Sequence, residues 1–125
     1  MDKKITAKTK SLLPIKTLGV HHLGIATRDF EESLKIYRDL LGFKVLGPTE
    51  TVAAQKVEVL WLGIPGQKTT LELLKPTEAD GAVYKFLEKR GPGMHHVALE
   101  VEALKNALIA LKEAGLILID EHPRV

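Results

Sequence analysis

Four of the chain's five histidines stand in two copies of one short pattern, GVHHLGIAT at residues 19–27 and GMHHVALEV at residues 93–101. Neutral imidazole is the commonest protein ligand for first-row divalent metals, so one histidine from each copy would supply half of a metal site. Neighbours along a β-strand point to opposite faces, and only one histidine of each pair can line such a site. His21 shares a face with Leu23 and Ile25, whereas His22 shares one with Gly24 and Ala26. The bulky side belongs against helices and the small side leaves room for a ligand, which selects His22. The same parity groups His95 with Val97, Leu99 and Val101, and His96 with Ala98 and Glu100, making His96 the counterpart of His22. His21 and His95 are expected to support the ligands or to pack, and His122, in a turn, to be solvated.

Two imidazoles need an anionic partner to hold a hard or borderline divalent ion. In TTLELLKP (69–76) Glu72 is a carboxylate flanked by Leu71 and Leu73 inside an apolar run, which makes it the third candidate ligand. Glu58, in KVEVLWLG (56–63), poses the same question less sharply, because its face also carries Leu60 and Leu62. The chain has no cysteine, which excludes thiolate zinc sites and cysteine nucleophiles and fits a reducing compartment, with the cytoplasm as the default.

The elements that must carry these residues repeat as well. VHHLGIATRDFEESLKIYRDLLGF and MHHVALEVEALKNALIALKEAGL each read as a strand followed by an amphipathic helix, with Leu34, Tyr37 and Leu41 at helical spacing in one and Leu104, Leu108 and Leu111 in the other. Gly42 and Gly115 stand where a helix end needs positive φ. A short apolar strand, FKVLG or LILID, follows each helix. KVEVLWLG and TTLELLKP, joined by the turn-forming IPGQ, complete a βαβββ module at 19–76. Residues 77–92 link the modules, with a short helix from about Asp80 to Lys89 stopped by Gly91 and Pro92. The second module, 93–125, repeats strand, helix and strand and is expected to be incomplete, two strands short of the first.

The formal net charge of +2 arises in a lysine-rich segment, MDKKITAKTKSLLPIK, and the rest of the chain carries −2. The folded part is therefore not a basic nucleic-acid binder. Residues 1–18 read as a flexible, solvated extension, with no apolar run long enough for a secretory signal or a membrane span.

With these residues in place, the chain resembles the vicinal oxygen chelate superfamily of glyoxalases, bleomycin-resistance proteins and dioxygenases, and within it the methylmalonyl-CoA epimerase family. The likeness is carried by HHLGIAT, EESLKIYRDLLGFKVLG, LELLKP, KFLEKRGPGMHHVALEV and LKEAGLILIDEHP, which cover nearly everything after residue 18. It implies an α+β fold in which paired βαβββ modules form a cupped mixed sheet around a divalent ion. By position, the family's metal ligands fall on His22, Glu72 and His96. Its fourth ligand is a glutamate of the last strand, which this chain ends before. The family's proton-transfer glutamates include that terminal residue and a second one, which matches Glu58 through a one-residue shift from a match at Gln55. The implied activity is metal-dependent epimerisation of methylmalonyl-CoA, with an acyl-CoA partner and a homodimeric state. Co²⁺ is the expected ion, with Zn²⁺, Ni²⁺ or Mn²⁺ as alternatives. A glyoxalase-like isomerase, an Fe(II) dioxygenase and a non-catalytic small-molecule binder are the competing readings of the same scaffold.

Overall fold

A computed structural model describes residues 13–124, which form a six-stranded mixed sheet with three helices, the expected α+β class. The strands are β1 (Thr17–Ala26), β2 (Lys44–Val45), β3 (Glu50–Val52), β4 (Val57–Gly63), β5 (Thr70–Pro76) and β6 (Gly93–Val101). The helices are α1 (Phe30–Leu34), which continues as a π-helical turn over Lys35–Leu40, α2 (Ala82–Arg90) and α3 (Leu104–Glu113). Most of the expected lysine-rich extension lies outside the described residues, and its last two, Thr17 and Leu18, already belong to β1. Among the described residues no helix is long and apolar enough to cross a membrane. The described residues divide into two compact units, one of Val20–Ala98 and one of residues 13–19 with residues 99–124.

In the unit Val20–Ala98 the sheet order is β2-β4-β5-β1-β6, with β3 paired to the outer side of β4. β4 and β5 are antiparallel, and β1 and β5 are parallel. The central strands are apolar on both faces because both faces are covered. On one face Leu60, Leu62, Leu71 and Leu73 pack with Leu34 of α1, joined by Leu23, Ile25, Phe30 and Tyr37. On the other, Ala26, Val57, Val59 and Leu74 pack with Val83 and Leu87 of α2, joined by Val52, Trp61 and Phe86. Alternation along β1 thus sends odd residues toward α1 and even residues toward the face of α2, as the parity of the first histidine pair requires.

Local chemistry explains the helix ends. The Asp29 side chain accepts from the Glu31 backbone N–H at 2.9 Å, and Glu31 and Glu32 sit in the first turn, where negative charge complements the helix dipole. α2 ends with Lys89 and Arg90 in its last turn and Gly91 at φ +75°, a conformation that glycine adopts without steric cost. Gly42 and Gly115 also have positive φ, as expected from the sequence.

Two expectations are corrected. LILID is not a strand: residues 116–120 pair with no ladder among the described residues, and Ile117 and Ile119 are almost fully exposed. Apolar alternation gives a segment strand propensity, but a strand forms only where a neighbour satisfies its backbone groups. Conversely, β3 is a strand not foreseen in the sequence; it folds back onto β4 through a 3-10 turn over Ala53–Gln55 and Lys56, the one described non-glycine residue at positive φ (+58°).

In the second unit, α3 buries Ala107, and the Glu102 backbone N–H donates to the Lys16 carbonyl at 2.9 Å, reinforced by a Lys16–Glu102 ion pair at 3.2 Å.

Candidate metal centre

Three adjacent strands each supply one side chain to a single point on the α2 face of the sheet: His22 from β1, Glu72 from β5 and His96 from β6. His22 Nε2 lies 3.1 Å from His96 Nε2, and Glu72 Oε1 lies 3.5 Å from the first and 3.2 Å from the second. The register of β1 on β5 sets Gly24 beside Glu72, and that of β4 on β5 sets Trp61 on its other side. Gly24 is the residue that opens the space: a Cβ built there would stand 2.2 Å from His96 Cε1, inside the imidazole. Its φ is not in the left-handed region, so the requirement is for volume rather than for backbone freedom. Trp61 closes the opposite side, its ring edge-on to His22 with centroids 4.9 Å apart.

His22 and His96 each have a histidine as outer neighbour. His22 Nδ1 is 2.8 Å from His21 Nδ1, and His96 Nδ1 is 2.9 Å from His95 Nδ1, each pair of rings meeting edge to face. Phe86 of α2 holds His95 from the side at 5.1 Å between centroids.

Burial sets the charge states. It pushes His22 below the ordinary imidazole range, helped by His96 and His21, and likewise lowers His95 and His96. The same desolvation raises the Glu72 carboxyl, with His21 opposing it weakly. Around neutral pH these imidazoles are therefore uncharged and offer lone pairs, beside a carboxylate that no lysine or arginine among the described residues pairs with.

The donor set suits a divalent ion. Ligand atoms sharing one first-row ion at bonds of about 2.0–2.2 Å stand about 3 to 3.5 Å apart, which is the spacing seen among these three atoms. Two imidazoles and one carboxylate, with the rest of the shell left to water or substrate, make an open site of the kind used in catalysis.

Of the four residues singled out in the sequence, the structure brings His22, Glu72 and His96 together and leaves Glu58 out. Glu58 alternates with Val57 and Val59 along β4 and therefore points to the α1 face, where it lies 3.6 Å from Lys75. A one-residue shift puts Val59, not a carboxylate, on the face of the site. The β6 parity argument needs a correction too. Val97 is 48 % exposed, so the side of β6 shared by His95 is not packed as expected, and the distances rather than burial identify His96. A cleft of about 520 Å³ lined by Arg28, Lys75, Thr77, Glu78, Tyr84 and Glu88 contains none of the three ligands.

A mixed sheet that gathers two histidines and a glutamate from adjacent strands defines a candidate two-histidine, one-carboxylate metalloprotein. The chain belongs to the Glyoxalase/Bleomycin resistance protein/Dioxygenase superfamily, whose sequence pattern matches residues 21–125. It is 40 % identical over 103 residues to the uncharacterized protein YqjC of Bacillus subtilis, covering 82 % of this chain and 71 % of that one. It is 31 % identical over 114 residues to the mitochondrial methylmalonyl-CoA epimerase of Bos taurus, covering 90 % of this chain but spanning only 63 % of that protein's length. Its fold matches that of a Streptomyces coelicolor methylmalonyl-CoA epimerase variant in complex with 2-nitronate-propionyl-CoA, with a TM-score of 0.79 and 31 % identity over 87 % of this chain and 78 % of that one.

Proposed function

We propose that the chain carries the metal centre of a methylmalonyl-CoA epimerase, interconverting the (2R) and (2S) forms of the thioester by removal and return of one proton. The observation that carries this reading is the convergence of His22, Glu72 and His96 at mutual distances of 3.1 to 3.5 Å, in a chain whose relatives include named epimerases. The proton to be removed lies on a carbon between a carboxylate and a thioester, and its loss leaves negative charge on the flanking oxygens. A divalent ion held by the three residues would stabilise that charge as it develops. Two neutral imidazoles and one carboxylate leave a bound divalent cation with net positive charge to offer an anionic substrate.

The apolar residues of β4 form the wall beside this charge. Trp61, in register with Glu72 and edge-on to His22, is the apolar neighbour at the site, and Val59 and Val57 continue that apolar face away from it; low-dielectric surroundings strengthen electrostatic interactions there. Glu58 is turned away from that face, so proton transfer at the site falls to another carboxylate. Antiparallel pairing sets Glu50 of β3 opposite Val59, and paired residues share a face, so Glu50 is the carboxylate that β3 offers on the side of the site. Proton transfer at the substrate carbon is assigned to Glu50, from a position two strands from Glu72.

The test is deuterium exchange into methylmalonyl-CoA with added Co²⁺. Exchange by the wild type, its loss in His22→Ala, and a slowing of about 10²-fold or more in Glu50→Gln, the scale of a lost general base, are the expected results. Absence of exchange by the wild type with a full complement of bound metal would contradict the reading. The same donor set also serves Fe(II) oxygenases, so metal content after purification separates the two chemistries. Iron with oxygen uptake on substrate addition would favour the oxygenase.

A further inference from the structure

We infer that His21 and His95 are positioning residues that fix the tautomer and ring orientation of the two ligand histidines; the inference rests on the metal reading of His22 and His96 given above. A neutral imidazole carries one ring proton. For Nε2 of His22 and of His96 to present a lone pair to a cation, that proton must sit on Nδ1. In both rings Nδ1 faces one neighbour, the Nδ1 of the preceding histidine, at 2.8 and 2.9 Å. One ring of each pair must donate and the other accept. The arrangement that leaves the inner nitrogens free has His22 and His96 donating from Nδ1, while His21 and His95 accept at Nδ1 and carry their own protons on Nε2. The reverse arrangement puts protons on the inner nitrogens, pointing at each other and at Glu72, and leaves no lone pair for a metal.

The duplication strengthens the assignment. The paired rings meet at 79° and 86° with centroids 5.1 and 5.2 Å apart, so two strands at different places in the sequence arrive at one geometry. Metal-bound histidines generally donate their other N–H to a carboxylate, a carbonyl or water. Here the chain's own preceding residue takes that place, on both sides. This gives the doubled histidine in each motif a reason that strand parity alone does not: the outer member contacts its neighbour through its ring edge although its Cβ leaves the opposite face of the strand. Phe86 fixes His95 in that position, whereas His21 is more open, so the two supports are expected to differ in strength.

The test combines two readouts on the full chain. Nitrogen-15 NMR of the Zn²⁺-loaded protein, in which the diamagnetic ion takes the place of a proton between the inner nitrogens and Glu72, should report the Nδ1–H tautomer for His22 and His96 and the Nε2–H tautomer for His21 and His95. Calorimetric titration with Co²⁺ should show one ion per chain in the wild type, with Kd raised about tenfold or more in His21→Ala and in His95→Ala, the range seen for residues that orient a ligand. Asparagine presents an acceptor oxygen at the same δ position, so His21→Asn and His95→Asn should restore most of the affinity that alanine removes, whereas a merely structural role would not be rescued. Thermal melts check that each variant is folded. The Nδ1–H tautomer at His21 and His95 in the Zn²⁺-loaded protein, or wild-type Kd in both alanine variants while His22→Ala has lost the ion, would overturn this inference and leave the metal site standing. No Co²⁺ binding by the wild type would overturn both.

Discussion

Glu72 is a carboxylate held beside two imidazoles that burial keeps neutral, and burial displaces His22, His95, His96 and Glu72 toward their uncharged forms. This makes the metal-free protein pH-sensitive in a calculable direction. His22, His95 and His96 have folded pKa values below the ordinary 6.5. As pH falls through that value the unfolded chain takes up protons that the folded chain refuses, so stability present above it is lost below it. Glu72 acts with the opposite sign: its folded pKa lies above 4.5, so it becomes destabilising as pH rises through that value toward the folded one and remains so at pH 7. Thermal melts of the metal-free protein should therefore fall from pH 7 to pH 5.5, and Glu72→Gln should melt a few degrees higher than the wild type at pH 7 while losing the response to added metal. An unchanged melting temperature in Glu72→Gln would show that its carboxylate is already neutralised. At this scale period-two alternation pairs His22 with His96 without knowledge of the fold, but the packed side that was to set His95 apart from His96 is absent on β6, where Val97 is 48 % exposed. The same parity places Glu58 with Leu60 and Leu62, toward the helix. Its assignment to proton transfer followed the resemblance and not the residues, and the strand geometry removed it.

The elements place the ligands through register, and register depends on a few small residues. Gly24 is the clearest case, since the ring of His96 fills the volume that a side chain there would need. Its backbone conformation is open to alanine, so Gly24→Ala should fold with nearly wild-type secondary structure yet bind Co²⁺ at least about tenfold more weakly, as expected of a displaced ligand. Circular dichroism together with titration checks this, and wild-type affinity would mean that His96 binds from another rotamer. Elements were less legible than residues. β1, β4, β5, β6 and the three helices follow from apolar periodicity and glycine punctuation. β3 does not, because ETV is short and its return to β4 depends on a lysine in the left-handed region, which no propensity favours. The π-helical widening over Lys35–Leu40 was likewise invisible, since it changes hydrogen-bond partners without changing composition. LILID shows the converse: pattern without a partner strand makes no sheet.

For the molecule as a whole, the unit Val20–Ala98 packs apolar side chains on both faces of its sheet, and the candidate metal site lies on the same face as α2. Leu73 and Leu62, both 0 % exposed, lie at the centre of the α1 layer, opposite the site. Leu73→Ala should cost about 2–5 kcal/mol by denaturant unfolding, the range for a buried leucine cavity, and also weaken metal binding because Glu72 is its neighbour on β5. Any ion bound only by the folded chain stabilises it by mass action, about 2.7 kcal/mol at a hundredfold excess over Kd, so added metal should recover much of that loss. The account stands on one claim, that His22, Glu72 and His96 together hold one divalent ion and Glu58 does not. Calorimetric titration of Co²⁺ into the wild type and the four single alanine variants tests it directly. One ion per chain in the wild type and in Glu58→Ala, with no stoichiometric binding in His22→Ala or His96→Ala and severely weakened binding in Glu72→Ala, is the predicted result. Wild-type binding in either histidine variant, or loss of the ion in Glu58→Ala, would contradict it.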